Sequence, residues 1–281
     1  GHDGPGLTAM GPDGAVLWHQ GTPRVDVEHL VALPDGGWAF LGNSGRDSVT
    51  LGGTKHEKTA GWVGHSMDLL AVLDAHGAYR WSKAFHPGAI DLTVHDGDLF
   101  VASHFGKSGW VDYGGGLVFA DGVLARLRPD GGHVWSRAFD DGLCDVVPWG
   151  PRTVLVSSRA AMVDGPDVHT RSRVHAVGPE GCDRGSLDLG TVGGLRAGGD
   201  GSLVAYGLRG DEVPRLGARG VDVPRGDWWI ARFTPELEVA WVHSLSCDDV
   251  EVAAGPHGEV AVSCARLSGR RGTTLYWIAP S

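Results

Sequence analysis

GVLARLRPDGGHVWSRAFDDG, residues 122–142, is the stretch that decides the fold. Val123, Ala125 and Leu127 alternate along one strand, Pro129-Asp130-Gly131-Gly132 turn the chain, and Val134, Trp135 and Phe139 lie on the return. Proline presets φ on the way into such a turn and glycine supplies positive φ on the way out, so the stretch reads as a β-hairpin. The chain repeats it. DLLAVLDAHGAYRWSKAF places Trp81 and Phe85 at the same phase, DWWIARFTPELEVAWVHSL places Trp241 and Leu245, and LTAMGPDGAVLWHQG places Trp18. In SRVHAVGPEGCDRGSLDL, Leu187 stands where tryptophan would sit. The markers 18, 81, 135, 187 and 241 are 63, 54, 52 and 54 residues apart. A period near 54 in strand-rich sequence means propeller blades or a related array.

Between the hairpins lie further strand pairs: VEHLVALPDGGWAFLG, IDLTVHDGDLFVAS, CDVVPWGPRTVLVSS, VGGLRAGGDGSLVAYG and VEVAAGPHGEVAVSCA. With these as strands A and B, and the tryptophan hairpin as C and D, each unit has four strands. The expectation is an all-β chain, a single five-bladed β-propeller of four-stranded antiparallel blades. The blades fall at about 27–85, 90–139, 144–189, 192–245 and 250–281, the last completed by residues 7–20. The last blade has a C-like strand, TTLYWIAPS, and no D strand after it; AVLWHQG at the N-terminus offers one. LTAM before it is also C-like, which leaves one strand spare. Closure is expected because an open ring exposes a long unpaired edge.

The series VDYGGG (111–116), DGVLARLRPDGGHVWSRAF and a strand pair ending LVSS resembles the SBBP-like β-propeller repeats abundant in myxobacterial surface proteins. VTLGG (49–53) and VPRLG near Val213 are weaker echoes. The resemblance covers most of the chain and is strongest in the second blade. It implies a scaffold placed outside the cell or in its envelope, and it brings no catalytic residues.

Composition sets the bounds. A chain of 281 residues is ample for a large core, and 46 glycines suit a turn every eight to twelve residues. No window sustains a 3.6-residue period, so almost no helix is expected, and the apolar runs are too short to span a bilayer. Lys and Arg number 24 against 34 Asp and Glu, a net charge of −10 without a basic stripe, which argues against nucleic acid and anionic membrane as partners. Of the cysteines, Cys247 and Cys264 could meet diagonally across an A/B pair; one disulfide and free buried thiols both fit, and no zinc spacing occurs.

Loop length points to the binding face. A–B and C–D turns are tight, whereas the B–C connections at about 43–67, 104–121, 159–172 and 208–226 are long, and in an up-and-down blade they share one end with the D–A crossings. Binding residues concentrate on such loops over a rigid scaffold. Aromatics and histidines expected there are Trp62, His65, Trp110, Tyr113, His169 and Trp228, with His56 nearby. Flat rings beside polar groups suit sugars and peptides; the other reading packs the tryptophans between blades. Carboxylates recur at the D–A crossings: Asp26 and Glu28, Asp91, Asp145, then Asp248, Asp249 and Glu251, with Gly193-Gly194 in the fourth blade instead. Glu28, Asp91, Asp145 and Asp249 could ring the channel mouth and hold a cation, Ca²⁺ being the candidate, or they could cap loops. No D-x-D-x-D loop is present, and no other cofactor is expected. Gly42-Asn43-Ser44-Gly45 ends a B strand where the repeat expects Gly-Ser, and Gly114-Gly115-Gly116, which follows the repeat consensus, and Gly52-Gly53-Thr54-Lys55 both lack the strand–loop–helix that a phosphate cradle needs.

Two functions remain open. One is a non-catalytic, monomeric module, secreted or in the envelope, that binds a glycan, a peptide or a surface protein through its loop face. The other is a glycoside hydrolase or lyase using Asp91, Asp145 and Asp249 or Glu28, for which an inverting pair must stand roughly 6.5–9.5 Å apart.

Overall fold

MDLLAVL, residues 67–73, is buried along its whole length, the signature of a strand covered on both faces. It belongs to a computed structural model that describes residues 6–58, 66–86, 88–105, 109–151, 153–164, 167–190, 192–208, 215–216, 221–222, 226–266 and 272–278. Among these residues every regular element is a β-strand, and all pairings are antiparallel. The chain divides into two compact units, 1–143 and 144–281.

In the first unit, β1 (Gly6–Met10) and β2 (Val16–Gly21) form a hairpin. The first four-stranded sheet then uses β3 (Asp26–Ala32) and β4 (Trp38–Ser44), detours through the small hairpin β5 (Ser48–Leu51) and β6 (Thr54–Glu57), and finishes with β7 (Met67–Leu73) and β8 (Tyr79–Phe85). The second repeats the plan: β9 (Ala89–His95), β10 (Asp98–His104), the detour β11 (Trp110–Val111) and β12 (Val118–Phe119), then β13 (Gly122–Leu127) and β14 (His133–Phe139).

The second unit carries β15 (Gly142–Trp149), β16 (Thr153–Asp164), β17 (Asp167–Val177) and β18 (Asp183–Gly190) as one meander. Another is β19 (Gly194–Ala197), β20 (Leu203–Leu208), the detour β21 (Arg215–Leu216) and β22 (Val221–Asp222), β23 (Trp228–Phe233) and β24 (Val239–Leu245). The last sheet has three strands, β25 (Asp249–Ala254), β26 (Val260–Arg266) and β27 (Gly272–Ile278). These are blades of the β-propeller type, and the expected A-to-D order holds in all four four-stranded sheets.

Two expectations change. Residues 159–172 are not a loop: β16 and β17 run on as a ladder, pairing from Val154↔Val177 out to Asp164↔Asp167. The spare N-terminal strand is also accounted for, since LTAM pairs with the AVLWHQG strand as its own hairpin partner.

Tryptophan at the repeat phase has a mechanical reason. Trp18 of β2 donates its indole N–H to the Ala75 carbonyl at 3.1 Å and lies on Gly77 in the β7–β8 turn. Trp81 of β8 does the same one sheet later, donating to Pro129 at 2.7 Å and lying on Gly131 in the β13–β14 turn. Both glycines sit at positive φ, 83° and 82°, and present a bare Cα where a side chain would strike the ring. In the second unit the two halves of this joint have changed together. Leu187 replaces the tryptophan, and the next turn carries Leu237 at φ 61°; both pack on one core cluster.

In three sheets an arginine at the same end pins the tight turn between the first and second strands. Arg126 pairs with Asp98 at 2.6 Å, Arg232 with Asp200 at 2.5 Å, and Arg80 with Asp35. The Cys247–Cys264 disulfide forms, with Cα atoms 5.6 Å apart, tying the approach to β25 onto β26; Cys144 and Cys182 are free thiols.

Candidate functional site

The first unit gathers its polar groups where β3, β7 and β9 begin. In β3 a bulge between Val27 and His29 leaves Glu28 without a cross-strand partner, and in β9 a bulge places Ile90 outside the register beside Asp91. An extra residue re-aims its neighbours, so His29 turns toward β9. Its Nδ1 lies 3.0 Å from Asp91 Oδ1, and that hydrogen bond, helped by the charges of Asp91 and Glu28, raises the imidazole pKa above its ordinary value despite burial. Glu28 accepts a hydrogen bond from the Asn43 amide. Asp68, at the start of the buried strand β7, is 5 % exposed, and one oxygen accepts the N–H groups of Gly88 and Ala89 at 2.7 and 2.6 Å. Burial pushes its pKa up to about 6, against the pull of those two N–H groups.

The second unit has a cluster on a similar plan. Asp145 of β15 exchanges hydrogen bonds with Ser157 and lies 3.5 Å from the Arg196 guanidinium of β19. Arg196 also donates to the Val252 carbonyl of β25 at 3.1 Å and stands 5.7 Å over the Tyr206 ring, so one side chain ties three sheets. Tyr206 fills the space that Gly194 leaves, with Trp228 at 6.5 Å beside it. Burial raises its hydroxyl pKa; Arg196 opposes this, while Asp145, Glu251 and Asp249 add to it.

These clusters revise the candidate list. Asp91, Asp145 and Glu28 are each engaged by a protein side chain, His29, Arg196 or Asn43. Exposed Asp249 caps the N–H of Val250 at 3.0 Å. Arg196 and, when protonated, His29 set positive charge beside Asp145 and Asp91, whereas Glu28 meets a neutral amide and Asp249 a backbone N–H. Among the described residues no group of three or more His, Cys, Asp or Glu could hold a metal ion. Asp68 is the carboxyl with the desolvated setting of a general acid, yet it faces the chain crossing at Gly88 rather than solvent.

The aromatic candidates separate. Tyr113 is a core residue, 2 % exposed, with its hydroxyl on Ser103 and its ring 4.6 Å from Phe85; burial raises its pKa strongly. The odd-even pattern of β11 turns it inward with Val111. His56 is buried too, its Nε2 2.7 Å from Ser82, and burial lowers its pKa. Trp228 is partly buried against the second unit's core. Trp110 is half-buried opposite Phe119, its ring 5.1 Å from His86, which in turn meets Phe105 at 6.0 Å. Phe119 and Leu117 are 68 % and 58 % exposed. Trp62 and His65 lie outside the described residues, as does the side chain of His169, whose backbone pairs with Met162.

Sequence reading missed His29, Asn43, Asp68, Arg196, Tyr206 and Phe119. Only Asp68 carried a local signal, a lone acid in an otherwise apolar run.

No family model matches the chain, and no curated protein does. Among solved structures it is similar to a protein of unknown function from Bacteroides caccae, at 13 % identity and TM-score 0.48 over 84 % of this chain and 74 % of that one. It is similar to BamB from Moraxella catarrhalis, at 17 % identity and TM-score 0.42 over 96 % and 71 %. A luciferin-regenerating enzyme aligns at 13 % identity and TM-score 0.40 over 91 % and 92 %.

Proposed function

We propose that this chain is a non-catalytic binding module that recognises a glycan, a peptide or a surface protein through the connections between the second and third strands of its sheets. The observation that supports it is exposed Phe119, paired across β11–β12 with half-buried Trp110 beside His86 and flanked by exposed Leu117. An exposed ring backed by half-buried aromatics on a detour, over a strand pair whose other face (Val111, Val118) is packed inward, is suited to contact. The reading includes five blades in one ring, the last completed by an N-terminal strand. A location outside the cytosol suits the Cys247–Cys264 disulfide.

Glycan arrays and pull-downs with the purified chain test it. Phe119→Ala and Trp110→Ala should abolish retention while leaving the unfolding midpoint within a few tenths of a molar in urea. If nothing is retained and a substrate is turned over, the reading fails. The glycoside hydrolase or lyase is the second reading, with Asp91, Asp145 and Asp249 or Glu28 as its carboxylates. Chromogenic glycosides cleaved by the unaltered chain and spared by Asp91→Asn or Asp145→Asn would establish it.

A further inference from the structure

The crossing from β8 to β9 is held by one side chain from elsewhere in the sequence. Asp68 receives the N–H groups of Gly88 and Ala89, and the Gly88 carbonyl receives the His104 N–H at 2.6 Å. Gly88 stands two positions after His86, whose ring lies against Phe105 and Trp110. The groups around the Asp68 carboxyl are of one kind. Glu28 approaches from β3 with the same charge, and Tyr113 comes from the β11–β12 connection with its hydroxyl already on Ser103 of β10. The cation of the neighbourhood, His29, is bonded to Asp91 of β9. No ion pair reaches Asp68 among the described residues. His86 and His104 are the other titratable groups at the crossing.

We propose that Asp68 is a proton-controlled latch on the Gly88–Ala89 crossing, closed when its carboxyl is protonated and loosened when it ionises. A protonated carboxyl can stay buried and still accept both N–H groups through its carbonyl oxygen. An ionised one gains stronger hydrogen bonds but sits desolvated beside Glu28, so it gains by swinging into water. The raised pKa of Asp68 agrees that burial outweighs the two N–H bonds. Opening frees the crossing and with it the seat of His86 under Trp110. The latch therefore tunes the mobility of the aromatic patch with pH, whatever that patch binds.

Amide hydrogen exchange on the full chain tests this. Corrected for the intrinsic rate, the protection factors of Gly88 and Ala89 should fall about tenfold between pH 5 and pH 7.5, and not in Asp68→Asn. Flat or rising protection overturns the latch, as does the same fall in Asp68→Asn, which would assign the effect to His86 or His104. Should that variant not fold, the ¹³C titration of the Asp68 carboxyl in the unaltered chain decides. A midpoint matching the fall in protection supports the latch, and one in the ordinary aspartate range overturns it.

Discussion

Three turns of the first unit make a controlled experiment on the tryptophan seats. The turns Gly11–Ala15, Asp74–Ala78 and Arg128–Gly132 close with the same pair of backbone hydrogen bonds, and Gly14, Gly77 and Gly131 hold φ of 79°, 83° and 82°. They differ in what a Cβ would meet. At Gly14 nothing lies within 4 Å; at Gly131 the Trp81 ring is 3.2 Å away; at Gly77 the Trp18 ring is 2.6 Å away. Alanine at Gly14 should cost only the left-handed conformation, about 1–2 kcal/mol, less about 0.4–1 kcal/mol from the stiffened unfolded chain. Gly131→Ala adds a contact that Trp81 can relieve by shifting a few tenths of an ångström, roughly 1 kcal/mol more. Gly77→Ala must lift Trp18 off its seat, losing its hydrogen bond and packing, roughly 2–3 kcal/mol beyond the Gly14 value. Urea unfolding of the three variants gives the order directly. Trp18→Ala should then reduce the cost of Gly77→Ala to that of Gly14→Ala, a coupling that a double-mutant cycle isolates. Equal costs for all three within about 0.5 kcal/mol, or no coupling in the cycle, would show that the rings do not press on the turns.

The folded pKa values of Asp68 and His29 are both raised, so each contributes stability on the acid side that is lost as pH rises, between about 3.8 and 6 for Asp68 and above 6.5 for His29. The lowered values of Asp35, Asp74, Asp200 and Glu259 act oppositely, their contribution vanishing as pH falls below about 4, so these shifts place the stability maximum near pH 4, with a decline toward pH 6 as Asp68 ionises. Asp68→Asn should flatten the alkaline side by about 2 kcal/mol in urea titrations at pH 4.5 and 8, and an unchanged slope would refute the assignment. Replacing Cys247 and Cys264 by serine removes a link across 17 residues and should cost about 3 kcal/mol, read from unfolding with and without reductant; a loss under about 1 kcal/mol would show the link idle. Leu187→Trp should destabilise by about 1–3 kcal/mol and be rescued by Leu237→Gly, because the ring would then find the bare turn it meets elsewhere; failure of the rescue would separate the two positions.

Turn chemistry and strand alternation are local, so the chain alone declared its period, its tight turns, its four-strand plan and the long connections, one of which carries Trp110. The diagonal approach of Cys247 to Cys264 was legible for the same reason, since it follows from one hairpin register. What the carboxylates do was not. Their partners are 20 or more positions away in the chain: His29 for Asp91, Arg196 for Asp145, the Gly88–Ala89 backbone for Asp68. A single extra residue in β3 re-aims Glu28 and His29, and a two-residue strand turns Tyr113 into the core while leaving Phe119 in water. Such outcomes depend on which strands lie side by side and at what register, and those are decided only when the sheets pack.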